Sequence, residues 1–105
     1  MLFRSLSYGP YITTITPGAR SATWRLLIDN NTANRGSDTV ATIEVYNANA
    51  NRALASKSLL RRDFAQANAY QLFTLTFNAQ AGQRLEFRVH WKDRAYIRQD
   101  YVRVR

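Results

Sequence analysis

Residues 84–91 read Arg-Leu-Glu-Phe-Arg-Val-His-Trp, and their alternation limits what this chain can fold into more than any other stretch. Leu85, Phe87, Val89 and Trp91 fall on one side, and Glu86, Arg88 and His90 on the other. A period of two belongs to an extended strand with one buried face. A helix would scatter those four apolar side chains around its axis. The same period returns in Ser21–Asp29, where Ala22, Trp24, Leu26 and Ile28 share a face. It returns again in Val40–Tyr46, with Ala41, Ile43 and Val45 inward, and in Tyr70–Phe77, with Phe73, Leu75 and Phe77 together.

Less regular β-prone runs cover Phe3–Ser7, Tyr11–Ile15, Arg52–Leu60 and Ala95–Arg105; in the last, Tyr101-Val102 breaks the alternation as a β-bulge would. Turn residues separate the runs: Gly9-Pro10, Thr16-Pro17-Gly18, Asn47–Asn51, Asn78–Gly82, and a short hairpin connection at Lys92–Arg94. Asn30–Asp38 is polar and reads as the longest and most mobile loop. Arg61–Ala69 has one large apolar anchor, Phe64, and room for a single helical turn. About eight short strands at turn spacing predict an all-β, antiparallel two-sheet β-sandwich of jelly-roll type. Trp24 and Trp91, both on apolar faces, are expected in its core.

A length of 105 residues fits one domain with its own core, residues 1–105, which reads as a piece excised from a larger protein. No cysteine is present, so disulfides and thiolate metal sites are excluded. No apolar run approaches the roughly 20 residues of a membrane-spanning helix. Lys and Arg number 15 against 7 Asp and Glu, a formal charge of +8, and all but Lys57 and Lys92 of the basic residues are arginine. Such an excess favours polyanions such as nucleic acid or anionic glycans, or else keeps strand edges from pairing with other chains. Phosphate-binding glycine loops, nucleophile elbows and zinc-binding HExxH helices are all missing, and His90 is the single histidine. The chain is therefore expected not to be an enzyme.

Binding chemistry has two kinds of candidate. Glu86, Arg88 and His90 form an outward row about 7 Å apart. The favoured reading of that row is a ladder of cross-strand ion pairs with Arg25, Glu44, Arg98 or Asp100. The rival reading has Arg88 and His90, with Arg25 and Arg98, bonding sugar hydroxyls or carboxylates. Tyr8, Tyr11, Tyr46 and Tyr96 lie near turns or on polar faces, where an exposed ring can stack on a pyranose or a base, or simply cap the end of the sandwich.

The order Tyr-Gly-Pro-Tyr, Thr-Pro-Gly, a long alternating strand, Leu85–Trp91 and a last strand ending Asp-Tyr-Val-Arg-Val-Arg resembles the galactose-binding-like and carbohydrate-binding-module jelly rolls of bacterial sugar-active proteins. The resemblance covers nearly the whole chain. It implies a noncatalytic module that binds a poly- or oligosaccharide, beside neighbouring domains of a parent chain and outside the cell. The excess of arginine points to an acidic glycan. Many such modules carry a structural calcium, and Asp100 resembles their final-strand aspartate; the matching acidic residue near the start is missing, since Asp29 is the first acid. Two other readings stand beside this one. The first is a structural or assembly sandwich without a small-molecule ligand, which predicts an exposed apolar patch. The second is nucleic-acid binding, less favoured because no basic cluster is interleaved with aromatic residues.

Overall fold

The computed structural model describes residues 2–3, 11–92 and 95–105, with the backbone only at 2, 3 and 11. Six long strands, β3 (Gly18–Ile28), β4 (Thr39–Asn47), β5 (Arg52–Leu60), β6 (Gln71–Ala79), β7 (Leu85–Trp91) and β8 (Ile97–Val104), form two antiparallel sheets of three. Each sheet gains one two-residue strand, β1 (Leu2–Phe3) or β2 (Tyr11–Ile12). The first sheet has the order β1-β8-β3-β6 and the second β2-β7-β4-β5. Within that order β4 pairs with β5, β3 with β6, β2 with β7 and β1 with β8, alternating between sheets. A long antiparallel ribbon rolled onto itself has this pairing, which is the jelly roll. The expectation of about eight strands thus resolves into six long strands and two minimal ones.

Only β4 and β5, neighbours in sequence, also lie in one sheet, joined by the Asn-rich turn at Ala48–Asn51. The 92–94 connection is accordingly not a hairpin: it carries the chain from β7 in the second sheet to β8 in the first. Residues 93 and 94, like Tyr8 and most of the expected Phe3–Ser7 strand, lie outside the described residues.

The alternation holds through both inner faces. Ala22, Trp24, Leu26 and Ile28 of β3 are fully buried, as are Ile43 and Val45 of β4 and Leu85 of β7. Phe87 crosses to Phe77 of the opposite sheet at 6.1 Å between ring centres. Burial of each Val, Leu, Ile or Phe side chain among these contributes about 1.5–3 kcal/mol relative to leaving it in water. Phe64, between β5 and β6, is buried edge-to-face against Phe73, with 4.8 Å between ring centres. Just before it, Arg61–Asp63 make the single helical turn the sequence allowed, of 3-10 type.

The polar 30–38 loop is tied down rather than loose. Arg61, itself buried, donates from Nε to both carboxylate oxygens of Asp38 at 3.0 Å and from Nη1 to the Asn30 carbonyl at 2.8 Å. Gly36 packs under Arg62 with φ of +72°, where a Cβ would come within 2.6 Å of the Arg62 Cβ. The loop contains a 3-10 turn, Ala33–Gly36, in which Asn34 and Arg35 also take positive φ. Its anchor is a charge reaching in from the connection between β5 and β6, so the lack of apolar residues did not reveal it.

Candidate functional site

The strand register places the candidate residues on different surfaces. On the outer face of the second sheet, β4 and β7 pair Glu44 with Arg88 and Thr42 with His90. Arg88 donates from Nε to Glu86 at 2.9 Å, with a further bond from Nη2, and reaches Glu44 at 3.5 Å. Its guanidinium carbon lies 3.7 Å from the centre of the Tyr46 ring. His90 Nε2 stands 3.4 Å from the same Glu44 oxygen, and the Tyr46 hydroxyl donates to Asn51. The favoured ladder therefore exists, but Glu44 alone of its four suggested outside partners is in it. Arg25, Arg98 and Asp100 belong to β3 and β8, in the other sheet. The backbone of Tyr11 pairs with Glu86 at the edge of the second sheet.

Arg25, Arg98 and Tyr96 come together on the outer side of the first sheet. The bulge expected at Tyr101-Val102 falls one residue earlier: Arg25 faces Tyr101 and Leu26 faces Gln99, so Asp100 is the extra residue. The bulge turns both Asp100 and Tyr101 toward the outer face, and Arg25 donates from Nη1 to Asp100 at 2.6 Å. Arg25 also covers the ring of Tyr70 at 4.3 Å. The calcium suggested for Asp100 meets poor donors here. A guanidinium already faces that carboxylate, and no group of three or more His, Cys, Asp or Glu side chains is gathered among the described residues. Calcium takes six to eight oxygens, and Asp100 as placed does not supply the start of such a set.

One recess at the end of the sandwich contains a residue assigned to the core. Trp91 is 41% exposed, whereas Trp24 is completely buried. The physical reason is position rather than face: Trp91 is the last residue of β7, where the sandwich ends and the opposite sheet no longer covers it. Tyr96, the residue just before β8 of the first sheet, is 54% exposed. Trp91, Ala95, Tyr96 and Ile97 line a recess of ≈ 290 Å³ at this seam.

Both aromatic residues have fixed backbones. Lys92, just after Trp91, donates its amide to Val40 at 3.1 Å. Asp29 holds Tyr96 from two sides: its amide donates to the Tyr96 carbonyl, and its carboxylate accepts from the Tyr96 amide, each at 3.2 Å. Arg98 donates from Nε and Nη2 to the Tyr96 hydroxyl at 3.3 and 3.2 Å. Bonds to the Tyr96 and Tyr70 hydroxyls raise the Arg98 guanidinium above its usual pKa, so it is a permanent cation beside the recess. The arrangement offers two apolar ring surfaces, a phenol hydroxyl and a guanidinium. That set can cover the C–H face of a sugar ring and bond its hydroxyls.

Comparison with solved structures places the fold. The chain is similar to a carbohydrate-binding module of a Cellvibrio mixtus lichenase, solved in complex with cellotriose, with a TM-score of 0.57 and 13% identity over 94% of this chain and 67% of that one. It is equally similar to the C-terminal carbohydrate-binding module of a marine laminarinase from Zobellia galactanivorans: TM-score 0.57, 12% identity, covering 94% of this chain and 74% of that one. A third likeness is to the C-terminal domain of EclA, a sugar-binding protein, with a TM-score of 0.52 and 15% identity over 98% of this chain and 70% of that one. No protein-family model and no curated protein matches the sequence. The fold is thus the jelly roll of the carbohydrate-binding modules, as the order of motifs suggested. No helix among the described residues is long and apolar enough to cross a membrane.

Proposed function

We propose that this chain is a noncatalytic carbohydrate-binding module, carried by a larger sugar-active protein that works outside the cell. The observation that supports it most is the Trp91–Tyr96 recess, a pair of exposed rings held by fixed backbone at the seam of the sandwich. In this reading Trp91 and Tyr96 stack against a pyranose, which removes apolar surface of both partners from water. Arg98 bonds a ring hydroxyl or, on an acidic sugar, a carboxylate in two places. Arg88 and His90 act instead in the ladder on the outer face of the second sheet, where Arg88 covers Tyr46. The assembly reading draws on the same two rings, because Trp91 and Tyr96, with Leu72 elsewhere on β6, are the large apolar side chains exposed among the described residues.

A glycan array spanning neutral and acidic oligosaccharides, followed by calorimetry on the best ligands, tests the proposal. The expected result is saturable binding that weakens in Trp91→Ala and Tyr96→Ala. An absence of binding at millimolar sugar, together with a concentration-dependent dimer abolished by Trp91→Ala, would favour assembly and refute it.

A further inference from the structure

Each sheet of the sandwich ends in two edge strands, and one of these edges is unlike the rest. β1 and β2 are only two residues long. β5, at the edge of the second sheet, carries Arg52 and Lys57, and Lys57 stands opposite Ile43 on the inward register while remaining exposed. Very short strands and inward-pointing lysines are ways of keeping a sheet edge from pairing with another chain. β6, at the edge of the first sheet, has neither protection. Gln71–Ala79 runs for nine residues without a charge, a proline or a glycine, in a chain of net charge +8.

The register shows which backbone groups of β6 face outward. Ser21 of β3 exchanges both amide bonds with Arg105 at 2.9 Å, and Ile28 accepts from the Asn68 amide on the β6 side. Bond direction alternates along a strand, so the even-numbered residues of β3 are the ones bonded to β6. Their partners are Phe73, Leu75 and Phe77, opposite Trp24, Ala22 and Arg20. Leu72, Thr74, Thr76 and Asn78 therefore aim their amides and carbonyls away from β3, and their side chains are exposed on the outer face. The inner face is also incompletely sealed here: Phe73, Leu75 and Phe77 keep 6–9% of their surface in water, whereas Ala22 and Trp24 keep none.

The segment is also complementary to itself. Phe73-Thr74-Leu75-Thr76-Phe77 reads the same in both directions. We propose that β6 is a self-association edge, where two copies of this chain pair antiparallel about Leu75 and join their first sheets into one. In that register Thr74 faces Thr76 of the other copy and Leu72 faces Asn78, and these are the residues whose backbone groups point outward. Leu75 meets its own copy on the two-fold axis in a non-hydrogen-bonded position, where side chains approach most closely. Phe73 meets Phe77 on either side of it, extending the core across the seam, and no other register gives two such aromatic pairs. A two-fold contact needs a surface that matches itself, which is why the occupant is a second copy rather than a foreign strand. The inference requires neither the Trp91–Tyr96 recess nor a sugar.

The test is sedimentation equilibrium of the full chain without sugar, at low and high salt. A single edge pairing is a small interface, so the dimer should form with a Kd of about 10 μM to 1 mM. Association should tighten as salt screens the like charge of the two copies. Thr74→Lys with Thr76→Lys, both at exposed positions, sets like charges opposite each other twice and should weaken the dimer at least about tenfold. Mixing that variant with Thr74→Glu, Thr76→Glu should restore a heterodimer, because each lysine then faces a glutamate. Hydrogen exchange of the wild-type chain gives a second readout that needs no variant. The Leu72, Thr74, Thr76 and Asn78 amides should gain protection as concentration rises, while those of Phe73, Leu75 and Phe77 are protected throughout. A chain still monomeric at about 1 mM overturns the inference. So does a dimer that the lysine pair leaves intact, or one that forms without protecting Thr74 and Thr76. A dimer abolished by Trp91→Ala would assign association to the recess rings and overturn it equally.

Discussion

Replacing each tryptophan by alanine in turn distinguishes a core residue from a ligand platform. Trp24 has no exposed surface, so Trp24→Ala removes a whole indole from the core and leaves a cavity, at a cost of about 3–5 kcal/mol. For a domain of this size each kcal/mol lowers the melting temperature by about 4–8 °C, so this variant should be barely folded at 25 °C. Trp91 has 41% of its surface in water, and Trp91→Ala should cost roughly half as much stability. An aromatic side chain of about 150–250 Å² exposed to that degree offers roughly 60–100 Å² to a ligand. If a sugar covers half of it, at about 25 cal/mol per Å², the stack contributes about 0.8–1.3 kcal/mol, or a four- to ninefold loss of affinity on truncation. Urea unfolding gives the first quantity and calorimetry with the best array ligand the second. The reasoning fails if Trp91→Ala destabilises as much as Trp24→Ala, or if it leaves sugar affinity unchanged.

Three further outcomes follow from the same geometry. Gly36→Ala forces a side chain into positive φ against the Arg62 Cβ and should lower unfolding stability by about 1–3 kcal/mol, which an unchanged urea midpoint would contradict. Burial pushes the Asp38 carboxyl up, but bonds from Arg61, its own backbone and Asn34 outweigh it and leave it below the ordinary 3.8. The unfolded chain therefore takes up that proton first as pH falls, so the stability from this group is complete above the unfolded value and is lost through the folded one. Wild-type midpoints should drop as pH falls through 3.8 and below, and Asp38→Asn should flatten that slope; an equal slope in the variant would contradict it. Arg88→Ala leaves Glu44 and Glu86 facing each other and uncovers Tyr46. It should cost about 1–2 kcal/mol of stability with sugar affinity within twofold of wild type, and a tenfold affinity loss would return Arg88 to the binding surface.

Much of this fold was legible because alternation is a local signal. Ala22 to Ile28, Ala41 to Val45, Phe73 to Phe77 and Leu85 to Val89 each show which face is inward, whatever their partners. The jelly-roll class followed from strand number and turn spacing. What alternation does not carry is where a sheet ends, and Trp91 is the result: its face is right and its cover is missing. A signal was present in the polar run that begins at Lys92, which marks Trp91 as the end of its strand. Strand pairing was the second blind spot. Nothing local says that Arg25, Arg98 and Asp100 lie in a different sheet from Arg88, or that Lys92–Arg94 changes sheets. Long-range charges were the third, since Arg61 fixes the 30–38 loop from 23 residues beyond Asp38. The exposure of Tyr96 was legible because a tyrosine beside a turn can be wet, and that argument needs no pairing at all.

The account rests on sugar meeting Trp91 at the seam, and the two indole N–H resonances can report it directly. In a titration of the ¹⁵N-labelled chain with the best array oligosaccharide, the Trp91 signal should move saturably while that of Trp24, sealed in the core, stays in place. A Trp91 resonance unmoved at millimolar sugar, or a saturable change confined to the outer face of the second sheet, would contradict the account.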